Sequence, residues 1–206
     1  MSNYLSPEIV KNFEETDIEY VIPFMEHYCE LYFKTGATEQ GTVFDIWCEN
    51  RTGGTSVIEV KSRLKDYATI FLEPDKMVRL IAAYEKYGAW SFFMNYTKEN
   101  GELLVFFMPI VKKYYKSFEF YQNVLINGPD GPKRGDRFAI PKELAFIFKD
   151  GKIIQKPAWT EEHKKARRQK NVDVEMLAKE LKKIKWNGNG KTKIDYSIDT
   201  KPTAGD

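Results

Sequence analysis

The chain has 206 residues, of which 42% are hydrophobic and 15% aromatic, so it is long enough for one domain with a sizeable core and too apolar to be intrinsically disordered. A formal net charge of +2 excludes a globally basic protein, and the apolar runs are too short to span a bilayer. The two cysteines, Cys29 and Cys48, do not form a disulfide framework pattern. We therefore expect a cytoplasmic protein with no membrane partner.

The first predicted elements are a helix and a β-hairpin. Apolar residues recur at helical spacing from Ile18 to Tyr32, and Gly36 ends this helix. Two short apolar runs follow, Val43–Cys48 and Ser56–Lys61, separated by a polar loop that contains glycine. Runs of this length around such a loop predict two antiparallel strands.

The next elements alternate between strands and a helix. A third strand is predicted over Tyr67–Leu72, followed by a helix that begins at Pro74 and ends at Gly88. The near-continuous apolar run Trp90–Tyr96 is typical of a central strand covered on both faces. Another strand is predicted over Glu102–Val111. After the first helix, the order is three strands, a helix and two strands.

The last part of the chain is more polar. Short strands are predicted over Arg137–Pro141 and Ala145–Phe148. After Trp159 the composition turns polar, and Asp173 is expected to cap a helix that runs to Trp186. The final residues contain few apolar side chains, so this end is predicted to be partly disordered.

Two acids and a lysine mark the hairpin as a candidate site. Side chains alternate along a strand, so Glu59 and Lys61 point the same way. A hairpin symmetric about Thr52 places Asp45 opposite Glu59, with Cβ atoms about 4.5–5.5 Å apart. Carboxylates this close repel each other, and a divalent cation between them removes the conflict. The alternative is a pair of solvent-facing acids, with Lys61 as a lysine at a strand end.

These residues resemble the PD-(D/E)XK nuclease superfamily, with Asp45 as the first acid and Glu59-Val60-Lys61 as the E-x-K triplet. The strand Val57–Arg63 is similar to the central strand of archaeal-type Holliday-junction resolvases, and the resemblance runs from Glu19 to Tyr96. Phe44 stands where the family's namesake motif has proline. The resemblance implies an α/β fold with a restriction-endonuclease-like αβββαβ core, in which helices flank a mixed sheet. It predicts a nuclease-like domain over residues 1–158 and a basic, helical and partly disordered tail over residues 159–206.

The resemblance also implies the chemistry of a metal-dependent DNA nuclease. Asp45, Glu59 and the backbone carbonyl of Val60 would bind one or two Mg²⁺ ions, for which Mn²⁺ is expected to substitute. A magnesium-activated water would hydrolyse the phosphodiester bond. Lys61 would orient that water or stabilise the developing negative charge.

The family often adds a glutamate from the helix before the hairpin. Three glutamates compete for this catalytic role, Glu19, Glu26 and Glu30. We choose Glu26 because it lies at the edge of the apolar stripe, from which a side chain can reach the sheet. A solvated helix carboxylate is the alternative, and the neighbouring His27 is more simply a structural histidine.

DNA is the expected partner, and several cations are candidates to contact its backbone. Arg63 and Lys65 continue past the catalytic strand, and Lys76 opens the next helix, where phosphates bind readily. Cations of the tail would add affinity by counterion release; these are Lys164, Lys165, Arg167 and Arg168. The alternative for each is an ordinary solvated surface charge.

The leading subtype is a junction-resolvase-like or phage-type nuclease of a bacterial, archaeal or phage-infected cell. The sequence is compatible with cleavage within a strand or from an end, and with a monomer or a homodimer. Two other readings also remain. One is a catalytically inactive nuclease-fold protein that acts as a nucleic-acid-binding or assembly module, and the other is an unrelated α/β protein with an accidental motif.

Overall fold

The structure is a computed structural model that describes residues 31–32, 43–50, 53–128, 131–157, 170–187 and 196–198. Three α-helices and twelve strands lie within these ranges. In chain order they are β1 (Leu31–Tyr32), β2 (Ile46–Asn50), β3 (Thr55–Arg63), β4 (Ile70–Leu72), α1 (Pro74–Glu85), β5 (Trp90–Thr97), β6 (Glu102–Phe107), α2 (Met108–Tyr114), β7 (Glu119–Gly128), β8 (Gly131–Ile140), β9 (Phe146–Lys149), β10 (Lys152–Gln155), α3 (Val174–Lys182), β11 (Ile184–Trp186) and β12 (Tyr196–Ile198).

The main sheet has seven strands in the order β1-β2-β3-β5-β6-β9-β10. Strands β3 and β5 are parallel, and the other neighbours are antiparallel. The expected mixed α/β architecture is therefore confirmed. Because a parallel pair requires a crossover, the chain leaves β3 and passes through α1 before it returns as β5.

Apolar side chains cover both faces of the central strands. On one face, Val57 and Phe93 belong to a cluster that also contains residues of α1 and α3. On the other face, Ile58 and Phe92 pack in a second cluster with Phe107. This double coverage explains the near-continuous apolar run of β5, where Phe93 and Met94 are fully buried.

The third predicted strand lies outside the main sheet. Residues Ile70–Leu72 form β4, which pairs with β8 in a separate three-stranded sheet of order β4-β8-β7. In the main sheet, β3 is paired with β5 and not with β4. The three strands predicted in sequence therefore do not lie side by side in one sheet. Apolar alternation predicts a half-buried strand but does not specify the strand with which it pairs.

Two helix boundaries also differ from the prediction. Leu31–Tyr32, expected at the end of a helix, form a strand paired with β2, and the rest of that helix lies outside the described residues. The helix capped by Asp173 ends at Lys182, and Ile184–Trp186 form a strand. The cap itself is as expected, since the Met176 backbone N–H donates to the Asp173 side chain at 2.7 Å.

Residues 170–187 pack against the core. The backbone N–H of Thr55 donates to the Lys170 carbonyl at 2.8 Å, and the Lys170 N–H donates to the Gly88 carbonyl at 3.0 Å. Leu181 and Ile184 are buried in the same cluster as α1. The expected tail of residues 159–206 thus includes a packed segment, while the division at residue 158 stays a prediction. None of the helices in the described ranges is long and apolar enough to cross a membrane.

We expect Leu181→Ala to lower the free energy of unfolding by about 2–5 kcal/mol, because it removes a fully buried side chain from the core. Met176→Ala is the matched control on the same helix, since Met176 is 43% exposed, and it should cost less than about 0.5 kcal/mol. Urea unfolding measures both. Equal, negligible effects would show that α3 is not part of the cooperative core.

Candidate active site

The register of the first hairpin brings Asp45 to Glu59. Ile46 pairs with Ile58 across β2 and β3, which is the register that symmetry about Thr52 predicts. One residue before β2, the Asp45 backbone N–H donates to the Ile58 carbonyl at 2.9 Å. The Asp45 side chain turns back toward β3, where its Oδ2 accepts a hydrogen bond of 2.6 Å from the Val60 N–H. Asp45 is therefore held beside the E-x-K triplet by main-chain contacts.

Glu59 lies at the centre of the site and is only 1% exposed. Its Oε1 accepts a hydrogen bond from the Lys76 ammonium and lies 3.1 Å from the Lys61 Nζ. Its Oε2 is buried and has no hydrogen-bond partner among the described residues. One oxygen of this carboxylate thus carries two ammonium groups while the other carries none. We call Asp45, Glu59, Lys61 and Lys76 the acid–lysine cluster.

Lys76 makes a contact that the sequence did not predict, while its predicted contact with DNA stays a prediction. The sequence suggested a contact with the DNA backbone, whereas in the structure this ammonium binds the buried Glu59 carboxylate. Lys76 lies in the first turn of α1, where the helix dipole disfavours a cation. The carboxylate of Glu59 offsets that cost. The sequence shows a lysine at the start of a helix, which is unusual. It does not show which residue the lysine contacts, because that depends on how α1 packs on the sheet.

Burial and the neighbouring acid disfavour the charged form of Asp45. Burial and the nearby Glu59 carboxylate raise the pKa of Asp45 from 3.8 to about 6, although Lys61, Lys76 and the Val60 N–H act in the opposite direction. For Lys61, burial favours the neutral form, but Glu59 and Asp45 outweigh it and raise the pKa of this ammonium. Lys61 is therefore a protonated cation at neutral pH.

The donor set fits a divalent cation in two respects. Glu59 Oε2 is a buried carboxylate oxygen without a partner in the described ranges, and burial together with Glu59 raises the pKa of Asp45, so a cation near Asp45 would favour its charged form. Asp45 and Glu59 are the carboxylates that could hold the ion. The described ranges contain no group of three or more His, Cys, Asp or Glu side chains arranged for a metal. Mg²⁺ uses one or two carboxylates with water and phosphate oxygens, which suits this pair.

The remaining predicted site residues fall into two groups. Glu26 and its alternatives Glu19 and Glu30 lie outside the described residues, as do the four tail cations Lys164, Lys165, Arg167 and Arg168. Of the cations near the end of β3, Lys65 is exposed. Arg63 is half-buried, and burial together with Arg137 lowers the pKa of its guanidinium. The carbonyl of Val60 stays a predicted ligand.

Asn95 is a polar residue of the site region that the sequence analysis missed. It pairs with Lys61 in the parallel register of β3 and β5 and is 0% exposed. The available signal was its place within the apolar run of a central strand, where an amide side chain is unusual. The run was interpreted only as a strand, so Asn95 received no role.

We expect Asp45→Asn to stabilise the metal-free protein above pH 6 by at most about 3 kcal/mol. The folded pKa of about 6 lies above the ordinary 3.8, so the folded state binds the proton more tightly and loses stability as pH rises between these values. Asparagine keeps an oxygen for the Val60 N–H and carries no charge. Urea unfolding at pH 4, 5, 6 and 7 in EDTA measures the difference.

The stabilisation by Asp45→Asn should be small at pH 4 and largest above pH 6. Asp150→Asn is the control, because Asp150 is exposed at a turn with φ 49°, a conformation that asparagine tolerates well. A pH-independent difference between wild type and Asp45→Asn would contradict the raised pKa.

No protein-family model matches the chain, and no curated protein is similar to it in sequence. Among solved structures, it is similar to a Holliday junction resolvase from the archaeal hyperthermophile Archaeoglobus fulgidus. The two share 15% sequence identity with a TM-score of 0.40, over 71% of this chain and 98% of that chain.

Proposed function

We propose that this protein is a metal-dependent nuclease that hydrolyses phosphodiester bonds of DNA. The observation that carries the proposal is the environment of Glu59, a 1% exposed carboxylate with an acid opposite and two ammonium groups beside it. One of its buried oxygens has no hydrogen-bond partner in the part of the chain that the structure describes. Asp45 is a second acid in a largely buried position, and burial followed by the Glu59 carboxylate raises its pKa to about 6. A cation between the acids explains why both are present.

Each residue of the cluster has a separate role in this proposal. Asp45 and Glu59 hold the cation, and the Val60 N–H fixes the Asp45 carboxylate through its 2.6 Å hydrogen bond. When bound, Mg²⁺ lowers the pKa of a water ligand and offsets the charge of the scissile phosphate. Lys61 is protonated, so it donates hydrogen bonds and stabilises the negative charge that develops on the phosphate oxygens; it does not act as a base.

Lys76 adds a second ammonium to the site. Its binding to Glu59 Oε1 neutralises that carboxylate in the metal-free protein. With a cation on Glu59, the Lys76 ammonium is free to contact a phosphate oxygen of the substrate, because it lies in the first turn of α1, where the helix N-terminus also favours anions. Its predicted contact with DNA would then occur at the scissile phosphate.

The DNA structure that is cut defines the subtype. Four-way junctions, flaps, duplexes and single strands differ in shape but share the phosphate backbone that the cluster would contact. Our proposal for the subtype is a junction-resolvase-like or phage-type nuclease, with Mn²⁺ able to replace Mg²⁺. Parallel assays on these four substrates distinguish it from a nuclease of plain duplex or single-stranded DNA.

We expect the wild-type protein to cleave DNA in Mg²⁺ and not in EDTA. Asp45→Asn and Glu59→Gln should abolish cleavage, because each removes a charge that holds the cation. Lys61→Ala should lower kcat by about 10²–10³-fold, the typical cost of losing one charge-stabilising donor. Initial rates on labelled substrates measure all three, with Asp150→Asn as the exposed control.

Cleavage that survives in purified Asp45→Asn would place the chemistry elsewhere in the chain. A wild-type protein that binds DNA but never cuts it would instead support the inactive binding module. In that case Lys61 and Lys76 would serve only to neutralise Glu59.

The contribution of the basic stretch to DNA binding is best tested by substitution. Deletion from Lys164 onward would also remove Leu181 and Ile184 from the core. Replacing Lys164, Lys165, Arg167 and Arg168 by glutamine keeps Leu181 and Ile184 in the chain. We expect weaker DNA binding and a shallower salt dependence, by about 0.9 in the slope of log K against log salt for each lost phosphate contact.

Binding titrations of this variant at several salt concentrations measure the slope. Lys152→Gln with Lys156→Gln is the control, because both lysines are exposed at the edge strand β10 or just after it. An unchanged slope in the fourfold variant would exclude the basic stretch from the DNA surface, and Arg63 and Lys65 would then be tested.

A further inference from the structure

Asn95 has a buried side-chain amide whose hydrogen bonds are not made by the described residues. Its side chain is 0% exposed, and neither Nδ2 nor Oδ1 has a hydrogen-bond partner among the described residues. Leaving a buried amide unpaired costs about 1–3 kcal/mol per group by protein mutational data. Because nearly all buried polar groups in native proteins are paired, an amide in this condition is available to a partner that the described residues do not supply.

The position of Asn95 identifies that partner. In the parallel register of β3 and β5, Asn95 pairs with Lys61, and Phe93 pairs with Glu59. Partners in adjacent strands point to the same face, about 4.8 Å apart across the sheet. The amide therefore lies on the face of the acid–lysine cluster, beside the stem of Lys61. Ser91 is also buried and unpaired on this strand, but it pairs with Val57, away from the acids.

Lys61 needs a second acceptor when a cation binds. In the metal-free protein its Nζ lies 3.1 Å from Glu59 Oε1, an oxygen it shares with Lys76. A divalent cation on Glu59 would repel both ammonium groups, so Lys61 would turn toward another acceptor. Within the described part of the site, the Asn95 Oδ1 is a buried acceptor at the neighbouring register position, and it has no partner to lose.

We propose that Asn95 is the positioning residue for Lys61, accepting its ammonium through Oδ1 once a cation occupies Glu59. This inference rests on the proposed nuclease function. The amide holds Lys61 on the site face, where it can donate to the substrate phosphate, and it leaves Nδ2 as a further donor. In this role Asn95 acts through Lys61 and does not contact the reacting atoms.

The test compares Asn95→Leu with wild type, because leucine keeps the branched shape and removes both polar atoms. In EDTA, Asn95→Leu should be at least as stable to thermal unfolding as wild type. Lys61 then stays on Glu59 and competes with the ion, so the thermal stabilisation by Mg²⁺ or Mn²⁺ should require several-fold more metal. On DNA at saturating Mg²⁺, kcat should fall at least tenfold with KM unchanged.

Two further variants separate positioning from packing. Asn95→Asp keeps an acceptor oxygen at the same place, so it should recover a substantial part of the kcat that Asn95→Leu loses. Ser91→Ala removes the other unpaired polar atom of β5 and should leave both metal affinity and kcat unchanged. Asn95→Ala also removes both polar atoms but has a smaller side chain than Asn95→Leu, so its stability, metal affinity and kcat are compared with those of wild type in the same way.

The outcomes distinguish failure of this inference from failure of the proposed function. Wild-type kcat and metal affinity in Asn95→Leu, with cleavage lost in Asp45→Asn, would overturn the positioning role alone. Clear destabilisation of both Asn95→Leu and Asn95→Ala in EDTA would also overturn it, because the amide would then have a structural partner. Cleavage that persists in Asp45→Asn would overturn the nuclease proposal itself.

Discussion

The burial of one carboxylate organises this protein. Glu59 lies in the middle of β3, 1% exposed, and a charge in such a place is stable only if positive charge reaches it. Lys61 comes from the same strand and Lys76 from the first turn of α1, so this requirement ties the helix to the sheet. The crossover from β3 through α1 to β5 is therefore held by electrostatics at one end and by apolar packing along its length.

The same arrangement lowers the free energy of unfolding, because several charged and polar groups at the site are not fully compensated. Asp45 faces Glu59 with a pKa raised to about 6, Glu59 Oε2 is unpaired, and the Asn95 amide has no partner among the described residues. Each feature lowers the stability of the fold, and in our proposal one cation with one displaced lysine would relieve all of them. Functional sites commonly contain such destabilising groups, because activity requires them at the expense of stability.

The C-terminal part of the chain contributes to this framework. Residues 170–187 bridge the beginning of β3 and the turn after α1, through the Lys170 and Val172 hydrogen bonds with Thr55 and Gly88. The Trp186 backbone N–H donates to the Asp75 side chain in the first turn of α1. This segment thus supports the helix that presents Lys76 to Glu59.

The sequence by itself determined the local chemistry. Apolar periodicity predicted β3, β5 and α1, and hairpin symmetry predicted the register that brings Asp45 to Glu59, because strand parity and loop length are properties of neighbouring residues. Only the tertiary structure decided the partners that come from distant elements. The pairing of β4 with β8, the contact of Lys76 with Glu59 and the place of Asn95 beside Lys61 all depend on which elements pack together. That choice is made by the burial of whole faces, so no local pattern specifies it.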